Sequence, residues 1–458
     1  MRSFQHRLGL ALSLVCVYLL TGCDGGAKAV GSVSTQTRTP PKPNYEDELK
    51  KLNAAIEHGI TLSARQSTDT LIPHEVVSLY QERARLTGKY DDYAKAEALL
   101  ASLSAAPKPT PSHCLATAKL HYTLHRLKQA SAALDTCPTT VEPTEVATMR
   151  ADIAMYSGRY REAESIYRAL VNEPGIAPNY IRLALLRKWL GAPGEAAALF
   201  EAAEKRYHGG SPTMLAWLKL QRGLVALDRG RLDEALALYR LATDALAGWW
   251  LIDEHIAEVL LLSGKTAEAK RLYESVVERT SAPEFMDALA VIESQQGNRD
   301  NAQKLQIKAR AIYEQRLIAF PEAAAGHALD HFLQSQADAK LALSLAQKNF
   351  DTRPYGEAAV ALAKAWILAG KPDRAVPLIE TQLNKGWDTA EAYWVLWAAR
   401  QKLGQQPQAD QAKDAALRRN PHSEKMYFRV VAGDPKNPNV KNSTVPARVI
   451  AAGAKTVN

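Results

Sequence analysis

The chain has 458 residues, four of them cysteine, and a formal net charge of +8. Four cysteines at this length exclude a disulfide-dense scaffold, and a 47% hydrophobic share excludes a disordered chain. Residues 1–23 carry +2, residues 24–44 carry +2 and residues 422–458 carry +4, so residues 45–421 are neutral and the basic balance is no nucleic-acid footprint.

The N-terminus opens with Arg2 and Arg7, followed by an apolar run over residues 8–20. Thirteen residues are too few to span a bilayer and suit a secretory signal. The run ends in Leu20-Thr21-Gly22-Cys23, which resembles the bacterial lipobox. That resemblance implies acylation of Cys23 after cleavage, with a lipid anchor in a membrane. Asp24 resembles the signal that retains such proteins in the inner membrane of enteric bacteria. Residues 24–73 read as a flexible tether rich in Gly, Ser, Thr and Pro, carrying one short helix over residues 45–60.

From residue 74 to 421 one pattern repeats. A glycine is followed five residues later by alanine at Gly158/Ala163, Gly191/Ala196, Gly230/Ala235, Gly264/Ala269, Gly297/Ala302, Gly370/Ala375 and Gly404/Ala409. Most intervals are 33 or 34 residues, with apolar residues at helical spacing on both sides of each glycine. Weaker units fit the same register around Gly88, His125/Ala130 and Ala337/Ala342, which makes ten helical hairpins. Residues 422–458 form a basic tail with Gly433, Pro435, Pro438 and Pro446.

These units resemble tetratricopeptide repeats (TPR). Tyr167, Phe200, Tyr239 and Tyr273 match the aromatic of that family's second helix. Ala151, Ala184, Gly223, Ala257, Ala290 and Ala363 match the small residue before the turn. The resemblance implies an all-α fold, a right-handed α-solenoid of about ten hairpins, whose concave face holds a protein or peptide partner.

Cys16 leaves with the signal, so Cys114 and Cys137 remain in an oxidising compartment. One begins a first helix and the other ends its antiparallel second helix, which favours a disulfide. Two histidine pairs stand at metal-ligand spacing: His121/His125 could form a site with His113, Cys114 and Cys137, His327/His331 lacks an obvious third ligand, and both pairs read rather as polar helix residues. No metal or cofactor is expected. No phosphate loop, nucleophile elbow or zinc motif is present, and the repeats leave no room for a catalytic domain.

The family's register puts the residues three, six, ten and thirteen before each turn on the concave face. Here these are Lys188, Leu185, Ile181 and Pro178; Leu227, Leu224, Leu220 and Trp217; Leu261, Glu258, Glu254 and Leu251; and Gln334, His331, His327 and Ala324. The expectation is therefore a hydrophobic peptide groove without the Lys/Asn set that grips a C-terminal carboxylate, the alternative being a register off by one or a superhelix that closes and packs these residues inside. The leading reading is a periplasmic lipoprotein scaffold for envelope assembly, secretion, pilus biogenesis or polysaccharide export, not an enzyme and not a nucleic-acid binder. The alternative is a glycan- or small-ligand-binding module using Trp217, Trp249, Trp250 and Trp394.

Overall fold

A computed structural model describes residues 42–65, 71–103, 110–172, 175–334, 339–424 and 426. The expected signal, Cys23, residues 24–41 and 66–70 of the expected tether, and nearly all of the basic tail lie outside the described residues. Among those described there are twenty-one α-helices and a single isolated backbone bridge. After α1 (Tyr45–Arg65) come ten hairpins. The first five are α2 (Leu71–Thr87) with α3 (Asp91–Leu103), α4 (Pro111–Thr123) with α5 (Leu127–Asp135), α6 (Pro143–Tyr156) with α7 (Tyr160–Asn172), α8 (Ala177–Trp189) with α9 (Pro193–Arg206), and α10 (Pro212–Asp228) with α11 (Leu232–Ala245). The other five are α12 (Trp250–Leu262) with α13 (Thr266–Thr280), α14 (Pro283–Gln295) with α15 (Arg299–Ala319), α16 (Pro321–Gln334) with α17 (Ala339–Thr352), α18 (Gly356–Leu368) with α19 (Pro372–Asn384), and α20 (Ala390–Lys402) with α21 (Gln406–Arg419).

The start of the fold differs from the sequence expectation. α1 is a full 21-residue helix, and α2 begins at Leu71, with Pro73 inside its first turn. Proline is tolerated there because the first-turn N–H groups have no intrahelical acceptor.

Most of the described hairpin turns are built the same way. The N–H of Arg159 reaches back to Ala154 O at 2.9 Å, and Arg231, Lys265, Lys371 and Gln405 repeat that bond. This ending needs one residue at positive φ, supplied by Gly158 at φ 72°. Where the glycine is missing, His125 takes the role at φ 62°, and Arg126 N–H still bonds His121 O at 2.8 Å. Inside the hairpin, the small residue of the first helix faces the aromatic of the second. A Cβ on Gly223 would stand 2.3 Å from the Tyr239 ring.

The two helices of a hairpin are buried differently. α7 buries one stripe, Tyr160, Ala163, Tyr167 and Leu170, and α13 buries Ala269, Tyr273 and Val276. α8 buries 11 of its 13 residues and α10 buries 12 of 17. A helix apolar all round must be covered on every side. The even-numbered helices from α6 onward thus make an inner layer, and their odd-numbered partners an outer one.

The superhelix closes on itself. Tyr45 N–H donates to Ala247 O at 2.9 Å, and Trp250 Nε1 donates to Leu86 O at 2.9 Å. Arg126 pairs with Glu322, 196 residues on, at 3.3 Å. The Gly356 N–H donates to the Tyr160 hydroxyl at 2.7 Å, again 196 residues away. Asp388 N–H approaches Trp189 O at 3.3 Å, and the rings of Trp189 and Trp387 stack at 5.6 Å. Asn420 Nδ2 donates to Leu227 O at 3.1 Å across 193 residues. From the α4/α5 hairpin through the α10/α11 hairpin, each turn therefore abuts the chain about six hairpins later. A disulfide joins Cys114, near the start of α4, to Cys137, just after α5, with Cα atoms 5.3 Å apart.

Candidate functional site

The expected apolar groove is occupied by the chain itself. Ile181, Leu185, Trp217, Leu220, Leu224, Leu227 and Leu251 are all buried in one core cluster, and Leu261 is half-buried against it. The reason is closure: inner-layer residues that would face water in an open solenoid are covered by the next turn. The tryptophans weighed as a sugar platform are buried as well. Trp217 and Trp394 are 0% exposed, and Trp394 Nε1 is spent on Ser423 Oγ at 2.9 Å. Trp249 and Trp250 are buried too, so none of the four presents a face for stacking.

The polar members of the same register meet partners inside the inner layer. His331 Nδ1 lies 2.8 Å from Asp287 Oδ1. His327 Nδ1 lies 3.7 Å from Glu284, which Arg316 also engages at 2.8 Å. Burial holds His327 down at about 4, only partly opposed by the Glu284 charge. The two histidines thus answer to different carboxylates. Elsewhere in the inner layer, Asp152 accepts from Tyr167 Oη at 2.5 Å and pairs with Arg182 at 3.2 Å. Lys364 pairs with Glu391. At the other histidine pair, the disulfide removes both sulfurs as ligands, His125 forms the turn, and His113 Nδ1 sits 3.2 Å from His74 Nε2.

Glu254 and Glu258 converge on His255, which the sequence register did not single out because it lies one residue off the concave positions. His255 Nδ1 is 3.3 Å from Glu254 Oε2 and 3.5 Å from Glu258 Oε2. Burial pushes the Glu254 carboxyl up to about 7. Burial also works against the charged imidazole of His255, yet Glu254 and Glu258 outweigh it and raise its pKa. The legible signal was four ionisable residues, Asp253, Glu254, His255 and Glu258, inside the otherwise apolar stretch Trp250–Leu262.

A cleft of about 410 Å³ opens where the α8 and α10 ends meet the start and end of the last hairpin. Lys188, Asp228, Arg231, Asp388, Glu391 and Arg419 line it. Lys188 lies 3.3 Å from Asp228, and Arg419 lies 2.5 Å from Asp388 with its guanidinium over the Tyr393 ring at 4.1 Å. Both signs of charge are present, so the cleft suits a polar partner of mixed charge better than a polyanion. Among the described residues no helix is long and apolar enough to cross a membrane.

No protein-family description and no curated protein matches the chain. Solved structures share its helical architecture. The human IFIT1 dimer with PPP-AAAA is 14% identical over 82% of this chain and 96% of that one, at a TM-score of 0.35. A monomeric IFIT1 mutant with Gppp-AAAA reaches a TM-score of 0.40 at 14% identity, over 81% of this chain and 95% of that one. The crystal structure of MamA is 16% identical over 36% of this chain and 95% of that one, with a TM-score of 0.31. These likenesses are distant, and the all-α solenoid of helical hairpins stands on the helices themselves.

Proposed function

We propose that this chain is a non-catalytic scaffold, anchored through Cys23 on the periplasmic side of a bacterial envelope membrane, that binds a protein or peptide partner. The observation that carries this reading is that the described residues between 45 and 419 lie almost wholly in helices, twenty of them paired in hairpins, with a charged cleft shaped between superhelical turns. The lipobox at residues 20–23 and the positive n-region support the anchor. The stretch between Cys23 and α1 gives the superhelix reach from the bilayer, and dual acylation supplies stable attachment. The apolar groove is no part of this proposal, since its leucines are core. Recognition falls instead to Arg231, Asp388 and Arg419 around the cleft.

Two measurements test it. Metabolic labelling with a fatty acid should mark the wild type and not Cys23→Ala; label retained in the variant removes the anchor. A photo-crosslinking residue at position 231 should capture a partner in intact envelopes, and Arg419→Glu should abolish that capture. Capture that is equal from the exposed outer position 240, or unaffected by Arg419→Glu, places recognition elsewhere.

A further inference from the structure

We propose that Glu254, His255 and Glu258 bind one divalent first-row transition-metal cation inside the inner layer, a site distinct from the partner-binding cleft. The three residues bring one imidazole nitrogen and two carboxylate oxygens within 4.8 Å of one another. The two distances from His255 Nδ1, 3.3 and 3.5 Å, match the edge of a tetrahedron about 3.3 Å long that follows from metal–ligand bonds of about 2.0–2.1 Å. The helix explains how the cluster forms. Glu254 and Glu258 stand one turn apart on one face of α12, and His255 lies next to Glu254, so its ring reaches back between them. The Tyr239 ring, stacked on His255 at 5.6 Å, fixes the imidazole plane.

An acidic cluster alone would not argue for an ion. The second observation is the state of Glu254. It is 1% exposed, and neither of its carboxylate oxygens accepts a hydrogen bond. His255 is its ion-pair neighbour at 3.3 Å, and a buried carboxylate whose oxygens accept no hydrogen bond is a group that a cation satisfies. Once His255 gives up its proton to bind the ion, two carboxylates, a neutral imidazole and a divalent cation sum to zero charge, which offsets the electrostatic penalty of burying this triad. The ligand set, one nitrogen and two oxygens without sulfur, selects zinc or manganese over metals that prefer thiolates. All three ligands come from one helix, so the ion does not staple hairpins together. It makes the stability of the α12/α13 hairpin depend on metal supply.

The test uses the full chain, stripped with chelator and then titrated separately with Zn²⁺ and Mn²⁺ in competition with a chromogenic chelator. The expected result is one equivalent bound, a raised Tm, and at least tenfold weaker binding in Glu254→Gln and in Glu258→Gln. Should those variants not fold, Co²⁺ added to the wild type decides. Visible d–d absorption of tetrahedral intensity supports the site, and octahedral-type weak bands overturn it. Binding that persists unchanged in both folded variants assigns the ion to other residues and overturns the proposal. An unchanged Tm with no equivalent bound leaves a proton-sharing triad only, which also overturns it.

Discussion

Gly158→Ala and Gly370→Ala form a matched pair that isolates the contact between superhelical turns. Both glycines close a hairpin turn, at φ 72° and 73°. Alanine at either position meets the same left-handed penalty of about 1–2 kcal/mol. They differ in what lies beyond. A Cβ at position 370 meets nothing within 4 Å, whereas one at 158 would stand 2.6 Å from the carbonyl oxygen of Pro354 in the next turn. That oxygen belongs to backbone, so relief requires moving the start of α18 away from α6, and overpacking of this kind costs about 1–3 kcal/mol. A repeat array opens in parts, so the readout should be local. Hydrogen exchange at the first turn of α18 should speed up about 5- to 150-fold in Gly158→Ala, the Boltzmann equivalent of 1–3 kcal/mol. Gly370→Ala should leave that turn near wild type. Equal exchange at α18 in the two variants would refute the idea that the turns press on each other there.

Leu220→Glu with Leu224→Glu places two carboxylates at positions only 1% and 4% exposed, so the pair should lose at least about 3 kcal/mol and a large part of the central helicity by circular dichroism. A folded double variant would mean that these leucines face water after all. Opening the Cys114–Cys137 disulfide, by reductant or as the double serine variant, frees a loop of sequence separation 23 and should cost about 3 kcal/mol, seen as a lower Tm. Burial pushes the Glu357 carboxyl from 4.5 up to about 7, against the pull of Arg353. The folded chain then holds a proton that the unfolded chain has released, so stability falls as pH rises from 4.5 through 7, and Glu357→Gln should flatten that part of the denaturation profile.

The hairpins could be read directly because each is specified locally. A turn glycine, a small residue and an aromatic at fixed spacing set the crossing of two helices, and Gly223 against Tyr239 shows the constraint at atomic scale. Even the weak unit at His125 kept its register, because a positive-φ turn needs only one residue able to adopt it. Closure of the superhelix could be named from the sequence only as an alternative, because it depends on contacts 164 to 202 residues apart made by groups with no local signature. The Tyr160 hydroxyl on the Gly356 amide and Asn420 on Leu227 O are two of them. That is why Leu185, Leu220 and Leu224 suggested a groove: the register turns them toward the axis, but only the next turn decides whether water reaches them. The α1 helix was underestimated for a similar reason. Its buried Leu52 and Ile56 find their cover in the central core cluster, far along the chain. His255 escaped notice because a concave-face register selects Glu254 and Glu258 and skips the residue between them that brings them together.

Closure is the claim on which the burial of the groove and the exposure of the cleft both depend, and a cross-link across it tests it most directly. A Cβ at position 158 would lie 3.8 Å from Lys385 Nζ, so the neighbouring exposed positions 159 and 385 face each other across the turns. With Arg159→Cys and Lys385→Cys in one chain, a short bismaleimide should join the two residues within a single molecule and give one cross-linked peptide pair on digestion. Chains carrying two separate reagent molecules and no internal bridge would mean that the superhelix is open, and the closed architecture would fall with it.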